Sequence, residues 1–250
     1  MGADPTTHAC GEYAGSVDEP TAAPGGHEAE RLRRLHAIGR LREAYADAVI
    51  AGEEGAAERV IRDALDAGLS EGVIHDAVIT PSMRRIGDRW AGGELSVADE
   101  HLATTITSRM VALLRETLRV AGRRPEHRIL LAGIERERHT VGLEMAASVL
   151  AHGGYEVLAL GADVPVDALP VAVERHRPAV IGLSATLAAT AKLIPAAIYA
   201  VRAVNPAVGV IIGGSAASLR MEATPGIAVC THVTDAVDLV DGLVQRAELN

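Results

Sequence analysis

The sequence predicts an α/β chain in two parts, a bundle of four helices and then a parallel sheet with helices between its strands. Three observations predict it. Between about residues 29 and 122, apolar residues recur three and four apart, and glycines punctuate the runs. From about 127 onward, short apolar runs alternate with helix-spaced stretches, the order from which parallel sheets with right-handed crossovers are built. At the end of the first such run, Ile129 to Ile134, stands a polar stretch, Glu137-Arg138-His139-Thr140-Val141-Gly142, with the character of a strand-to-helix loop.

Residues 1–28 are rich in Gly, Pro, Thr and Ala, and residues 1–30 hold six acids with no Lys or Arg. Such a composition builds no core and predicts a disordered acidic tail. The helical part, 29–122, opens with a stripe of Leu32, Leu35, Ile38, Leu41, Tyr45 and Val49, and Gly52 and Gly55 end that helix. Val60, Ile61, Ala64 and Leu65 mark a second helix, closed near Gly68. Ser70 caps a third, which runs through Val73, Val78, Ile86 and Trp90 to Gly92-Gly93. Pro81 should kink or interrupt that helix, since it has no N–H to give the preceding turn. Ser96 with Asp99 resembles a capping box, with Asp in place of Glu, for a fourth helix carrying Leu102, Ile106, Met110, Leu114 and Leu118. Four helices on short loops predict a compact bundle.

A polar linker, Gly122 to Glu126, precedes the second part, 127–250. Strands are expected near 128–134, 155–160, 179–184, 208–212 and 227–230. Helices are expected near 141–152, 166–177, 189–203 and 234–248. The arrangement is an open, Rossmann-like (flavodoxin-like) parallel sheet, in which ligands bind at the carboxyl ends of the strands.

Composition narrows the function classes. The chain is 48% apolar, enough for a sizeable core. A net charge of −9 speaks against direct nucleic-acid binding. Two cysteines, Cys10 and Cys230, make neither a disulfide framework nor a metal motif. No basic n-region opens the chain and no apolar run reaches 18 residues, so neither a signal peptide nor a membrane span is expected, and a cytoplasmic protein is.

The candidate chemistry gathers at one sheet edge. His139 lies after the first strand, with Glu137 two residues before it as a carboxylate able to orient an imidazole. Gly142 permits close approach of a bulky group. Ser184-Ala185-Thr186 and Gly213-Gly214-Ser215 follow the third and fourth strands, offering hydroxyl groups and room.

These residues resemble the Asp-x-His-x-x-Gly, Ser-x-Leu and Gly-Gly pattern of cobalamin-binding domains. The intervals are similar too, 45 residues from His139 to Ser184 and 29 from Ser184 to Gly213. Gly161-Ala162-Asp163-Val164-Pro165 resembles the family's second-strand loop. The resemblance implies that His139 is the lower axial ligand of cobalt. It implies that Ser184, Thr186, Gly213 and Gly214 line the tunnel for the displaced nucleotide tail. Glu137 stands where Asp is usual, and Thr186 where Leu is common.

The resemblance extends to the helical part, which matches the cap over the corrin's upper face. Trp90, nine residues, then Glu100-His101 resembles the cap of the CarH-like cobalamin-dependent photoreceptors. There the Trp and Glu lie against the upper axial group, often 5′-deoxyadenosyl, and light breaks the cobalt–carbon bond so that the cap moves. Where those receptors carry a second His directly after the Trp, this chain has Ala91, so a light-state ligand at that position is not expected. His101 could replace it only if the fourth helix shifted. With only the acidic tail before the cap, the chain resembles a stand-alone, AerR-type sensor acting through a protein partner such as a transcription regulator, or through self-association. The expected function is therefore a light-sensing signalling protein with adenosylcobalamin, or else methylcobalamin, as cofactor, and no catalysis of its own. The alternatives are a corrinoid methyl carrier and a cobalamin storage protein. A radical mutase fits less well, because there is no substrate barrel.

Overall fold

The computed structural model describes residues 25–117, 124–218 and 222–248. The expected tail as far as residue 24, Leu118, and the linker's first residues lie outside these. The chain forms two units, through His36 and from Ala37 onward. In the first, Leu32 and Leu35, expected on the buried stripe, are half exposed. The account below concerns the second unit.

The helical part consists of α1 (Gly25–Ile50), α2 (Glu54–Asp66), a rod made of α3 (Glu71–Ile74), a π-turn (His75–Ile79) and α4 (Thr80–Ala91), and α5 (Val97–Thr117). From Ile38 onward α1 buries Tyr45 and Val49 against Ile61, Ile74, Ile79, Ile86, Ile106 and Leu114. Leu102, expected on the buried stripe of α5, is instead exposed. The rod does not break at Pro81; it widens just before it. Thr80 N–H reaches back five residues to the His75 carbonyl. Proline then leaves the Ala77 carbonyl without its ordinary donor, and Arg42 Nε donates to that oxygen at 3.0 Å. Ser96 and Asp99 do form the expected box, Ser96 N–H to Asp99 Oδ2 at 2.8 Å and Asp99 N–H to Ser96 Oγ at 3.2 Å.

The sheet consists of β1 (Arg124–Ile134), β2 (Tyr155–Val164), β3 (Val180–Ser184), β4 (Gly209–Gly213) and β5 (Ile227–Val229), all parallel, in the order β2-β1-β3-β4-β5. Between them lie α6 (Val141–His152), α7 (Ala168–His176), α8 (Ala188–Ala191), α9 (Ile194–Val204), α10 (Ser215–Ser218) and α11 (Ala236–Glu248), the last preceded by a 3₁₀ turn, Val233–Asp235. Alternate residues of the strands feed two cores. Leu130, Ile134, Ile181, Leu183 and Ile212 pack with α7 and α9. Ile129, Leu131, Val180 and Ile211 pack with α6 and α11. The helix expected over 189–203 is broken, because Pro195 supplies no donor to the Ala191 carbonyl and the chain restarts at Ile194.

The helical part meets the α/β part along α6 and the 3₁₀ turn. Met145 of α6 belongs to the helical core, with Val141 and Val233 packed against it. Asp76 accepts from the backbone N–H groups of Val233 at 3.0 Å and Thr234 at 2.9 Å. Among the described residues no helix is long and apolar enough to cross a membrane.

Candidate functional site

In this strand order the connection from β1 leaves toward β2 on one side, while β3 continues on the other. The carboxyl edge between β1 and β3 is therefore the topological switch point, where the flanking loops part and leave a crevice. Gly133, Ser184 and Gly213 stand in register across it. A Cβ at Gly213 would meet nothing within 4 Å, and the same holds for Gly142 in the first turn of α6. Gly214 has φ +90° and a Cβ there would lie 2.4 Å from the Ala185 carbonyl oxygen, so only glycine fits.

Glu137 ties the loops on either side of the crevice. It is fully buried. Its Oε1 accepts the His139 backbone N–H at 2.9 Å and His139 Nδ1 at 2.5 Å. Its Oε2 accepts the Thr186 backbone N–H at 2.5 Å and Thr190 Oγ1 at 3.1 Å, with Leu187 N–H farther off at 3.4 Å. Burial alone would push the Glu137 carboxyl up, but the donations from His139 and Thr186 outweigh it and hold it below the ordinary carboxylate range. An ionised carboxylate has only lone pairs to offer, so Nδ1 carries the imidazole proton and the Nε2 lone pair is left for a ligand. The His139 side chain is 55% exposed, and among the described residues Nε2 has no hydrogen-bond partner.

The structure thus joins Glu137, His139 and Thr186 directly, and sets Ser184, Gly213 and Gly214 on the same edge. The Ser215 hydroxyl donates to the Thr186 carbonyl at 3.2 Å, which links in the loop after β4. Ser215 was placed at this edge by its sequence, whereas Thr190 and Asp163 escaped the sequence reading as parts of this network. Only Asp163, inside the second-strand loop, carried a signal there. A cleft of about 950 Å³ opens beside Thr140, Leu143 and Gly161, walled on its other side by Ser108, Val111 and Arg115 of α5.

Trp90, Glu100 and His101 are not drawn into this network. Trp90 is half exposed at the end of α4. His101 Nδ1 pairs with Glu100 Oε2 at 2.6 Å, and Thr104 Oγ1 donates to Glu100 Oε1 at 2.8 Å. Among the described residues none of the three makes a hydrogen bond or ion pair to the β1–α6 loop.

Two family models, each described as a B12 binding domain, match residues 41–115 and 127–240. The HTH-type transcriptional repressor CarH of Myxococcus xanthus is 31% identical over 214 residues, 83% of this chain and 68% of that protein. The chain belongs to the B12-binding domain family. The trimethylamine corrinoid protein of Methanosarcina barkeri is also similar, 25% identical over 155 residues, 61% of this chain and 70% of that one. The solved structure of the Methanosarcina barkeri monomethylamine corrinoid protein has the same fold, with a TM-score of 0.67 at 15% identity over 80% of this chain and 97% of that chain. The B12-binding chain therefore binds a cobalamin or related corrinoid, and its crevice suits that group. One imidazole nitrogen is fixed by a buried carboxylate and the other is unengaged, while the glycines at the neighbouring strand ends leave space.

Proposed function

We propose that the protein is a cobalamin-dependent light sensor, without catalysis of its own, that signals through its helical cap. The Glu137–His139 pair at the switch point carries the cobalamin part of the reading, and Trp90 with Glu100 in the cap favours the sensor over a carrier. In this reading His139 Nε2 is the lower ligand of cobalt and Glu137 fixes its ring. Ser184, Thr186, Gly213 and Gly214 accommodate the nucleotide tail, and Gly142 permits the close approach of the bulky group. When bound, the cobalamin supplies a light-labile bond between cobalt and an upper group, adenosyl by preference, methyl otherwise. The half-exposed Trp90 indole offers a stacking face to that group, and Glu100 offers it a hydrogen-bond acceptor. His101 is paired with Glu100, and reaching a ligand would require it to leave that pair.

The likeness to CarH, named a transcriptional repressor, supports a regulatory output. The net charge of −9 favours self-association or a protein partner such as a transcription regulator over direct contact with nucleic acid. The setting is cytoplasmic. The second reading is a corrinoid methyl carrier, favoured by the likeness to the trimethylamine corrinoid protein. Such a carrier must present its metal to separate methyltransferases and has no use for Trp90 and Glu100 over the upper face.

The test is the absorption spectrum of the protein reconstituted in the dark with adenosylcobalamin, before and after green light, with size-exclusion chromatography of both samples. The sensor reading expects a light-dependent spectrum distinct from that of free cobalamin, together with a change in size or in partner binding. A bound cofactor that leaves the protein unchanged by light would overturn the sensor reading in favour of a methyl carrier or a storage protein.

A further inference from the structure

Two residues beside the crevice have a backbone conformation that side chains disfavour. Arg136 has φ 67° and Asp163 has φ 54°. Such strain persists only where surrounding bonds fix it. Here the two residues fix each other. Arg136 N–H donates to Asp163 Oδ1 at 2.6 Å, and Asp163 N–H donates to the Glu137 carbonyl at 2.8 Å. Glu137 N–H closes the turn onto the Ile134 carbonyl at 2.8 Å. The main chain of Glu137 is thereby held on both sides before its carboxylate makes any bond.

The pairing of β1 with β2 explains how Asp163 comes to stand there. Leu131 pairs with Ala159, Ala132 with Gly161 and Ile134 with Val164, so β2 carries one extra residue in each of the two intervals. A bulge of this kind turns a strand's end and aims a side chain it would otherwise point elsewhere. The two loops run close together over Gly133, where a Cβ would lie 3.2 Å from Ala162 Cα and 3.4 Å from the Glu137 carbonyl oxygen.

We infer that Asp163 is a positioning residue for His139, acting through the backbone of Glu137. The inference rests on the reading that His139 ligates cobalt. Without the Asp163 bracket the Arg136 turn relaxes out of the left-handed region and Glu137 rotates. Its carboxylate can then no longer serve His139 and Thr186 together, and the imidazole loses its fixed orientation.

Asp163→Gly separates the hydrogen bond from the strain, because glycine tolerates the positive φ but offers no acceptor. Asp163→Asn keeps an acceptor oxygen and tolerates the same φ. The readouts are the cobalamin dissociation constant and the fraction of bound cobalamin whose spectrum shows a nitrogen lower ligand. Loss of a group that orients a metal ligand typically weakens affinity about 10- to 100-fold, and the glycine variant is expected in that range with a reduced ligated fraction. The asparagine variant should stay within about threefold of the parent protein, as expected where a neutral acceptor replaces a charged one in the same place. An unchanged spectrum and affinity in Asp163→Gly would overturn the inference. His139→Ala serves as the reference. If it too leaves both readouts unchanged, the ligand reading itself fails; if it changes them and Asp163→Gly does not, only the role of Asp163 fails. Thermal melting checks that the glycine variant folds, and should it not, the double variant Arg136→Gly with Asp163→Gly, which carries neither strained side chain, gives the same decision in the cofactor-free chain. There the His139 ring nitrogen shifts by NMR should lose the Nδ1-protonated pattern, and retention of that pattern would overturn the inference.

Discussion

A carboxylate with no exposed surface is stable in its charged form only when donors meet its lone pairs. Glu137 meets this condition with two backbone N–H groups at 2.9 Å or less, an imidazole and a hydroxyl. Glu137→Ala would leave the backbone N–H groups of Thr186 and His139 without an acceptor, and is expected to destabilise the fold by about 3 kcal/mol. Urea denaturation of the cofactor-free protein measures this, and a loss under about 1 kcal/mol, the value of an ordinary surface hydrogen bond, would show that the network does not hold the loops. The Glu-x-His spacing was legible in the sequence because both partners lie in one loop. Thr190 was not, because a threonine near a helix start looks like any other, and its partner lies 53 residues away. The left-handed Arg136 was unreadable for the opposite reason: arginine carries no preference for that conformation, and only its bond to Asp163 explains it.

Among the elements, the helical rod from Glu71 to Ala91 joins the two parts of the molecule through a buried polar cluster. Glu71 Oε1 accepts from His75 Nε2 at 3.2 Å and from the Ser148 hydroxyl of α6. His152, also on α6, lies against Glu71 Oε2 as an ion-pair contact without hydrogen-bond alignment. Burial would raise the Glu71 pKa, but His75, Ser148 and His152 together hold it below the ordinary value. A carboxyl with a depressed folded-state pKa contributes stability above its unfolded pKa and loses it as the pH falls through the folded one. Thermal stability should therefore decline as the pH drops below the ordinary glutamate range of about 4.3, and Glu71→Gln should shrink that decline. An identical slope for Glu71→Gln and the parent protein would remove the cluster as a source. The sequence showed a helix with Pro81 inside it and led to expecting a kink. What it could not show is that Arg42, on another helix, serves the freed Ala77 carbonyl and so lets the rod continue. Arg42→Ala withdraws that donor and is expected to cost about 1 kcal/mol, read by the same melts.

At the scale of the whole molecule, the parallel sheet and the site's place at the carboxyl ends of its strands followed from apolar runs alternating with helix-spaced stretches, because burying both faces of a parallel sheet demands that pattern. How the helical cap sits on the sheet was not legible, since it depends on contacts 65 or more residues apart, such as Thr80 with the Met145 sulfur at 3.8 Å. The seam includes Met145 and Val141 of α6, the Glu71 cluster, the two bonds from Asp76 to the turn before α11, and the packing of α5 on α6. Trp90 and Glu100 lie at the end of α4 and the start of α5, farther along the cap. A change at Trp90 can therefore reach the seam through the rod that carries both Trp90 and Glu71, or through α5, which carries Glu100 and packs on α6. Under the light-sensor proposal, hydrogen exchange of the protein loaded with adenosylcobalamin should quicken on illumination in α4, in the first turns of α5 and in the π-turn. The amides of β1, β3 and β4, which lie between two cores, should keep their dark rates. Trp90→Ala should bind the cofactor with little change yet lose most of the light-dependent difference in exchange. If illumination altered the sheet and the cap alike, the signal would arise from loss of the whole cofactor rather than from movement of the cap. If Trp90→Ala responded to light as the parent protein does, the indole would have no part in the sensing.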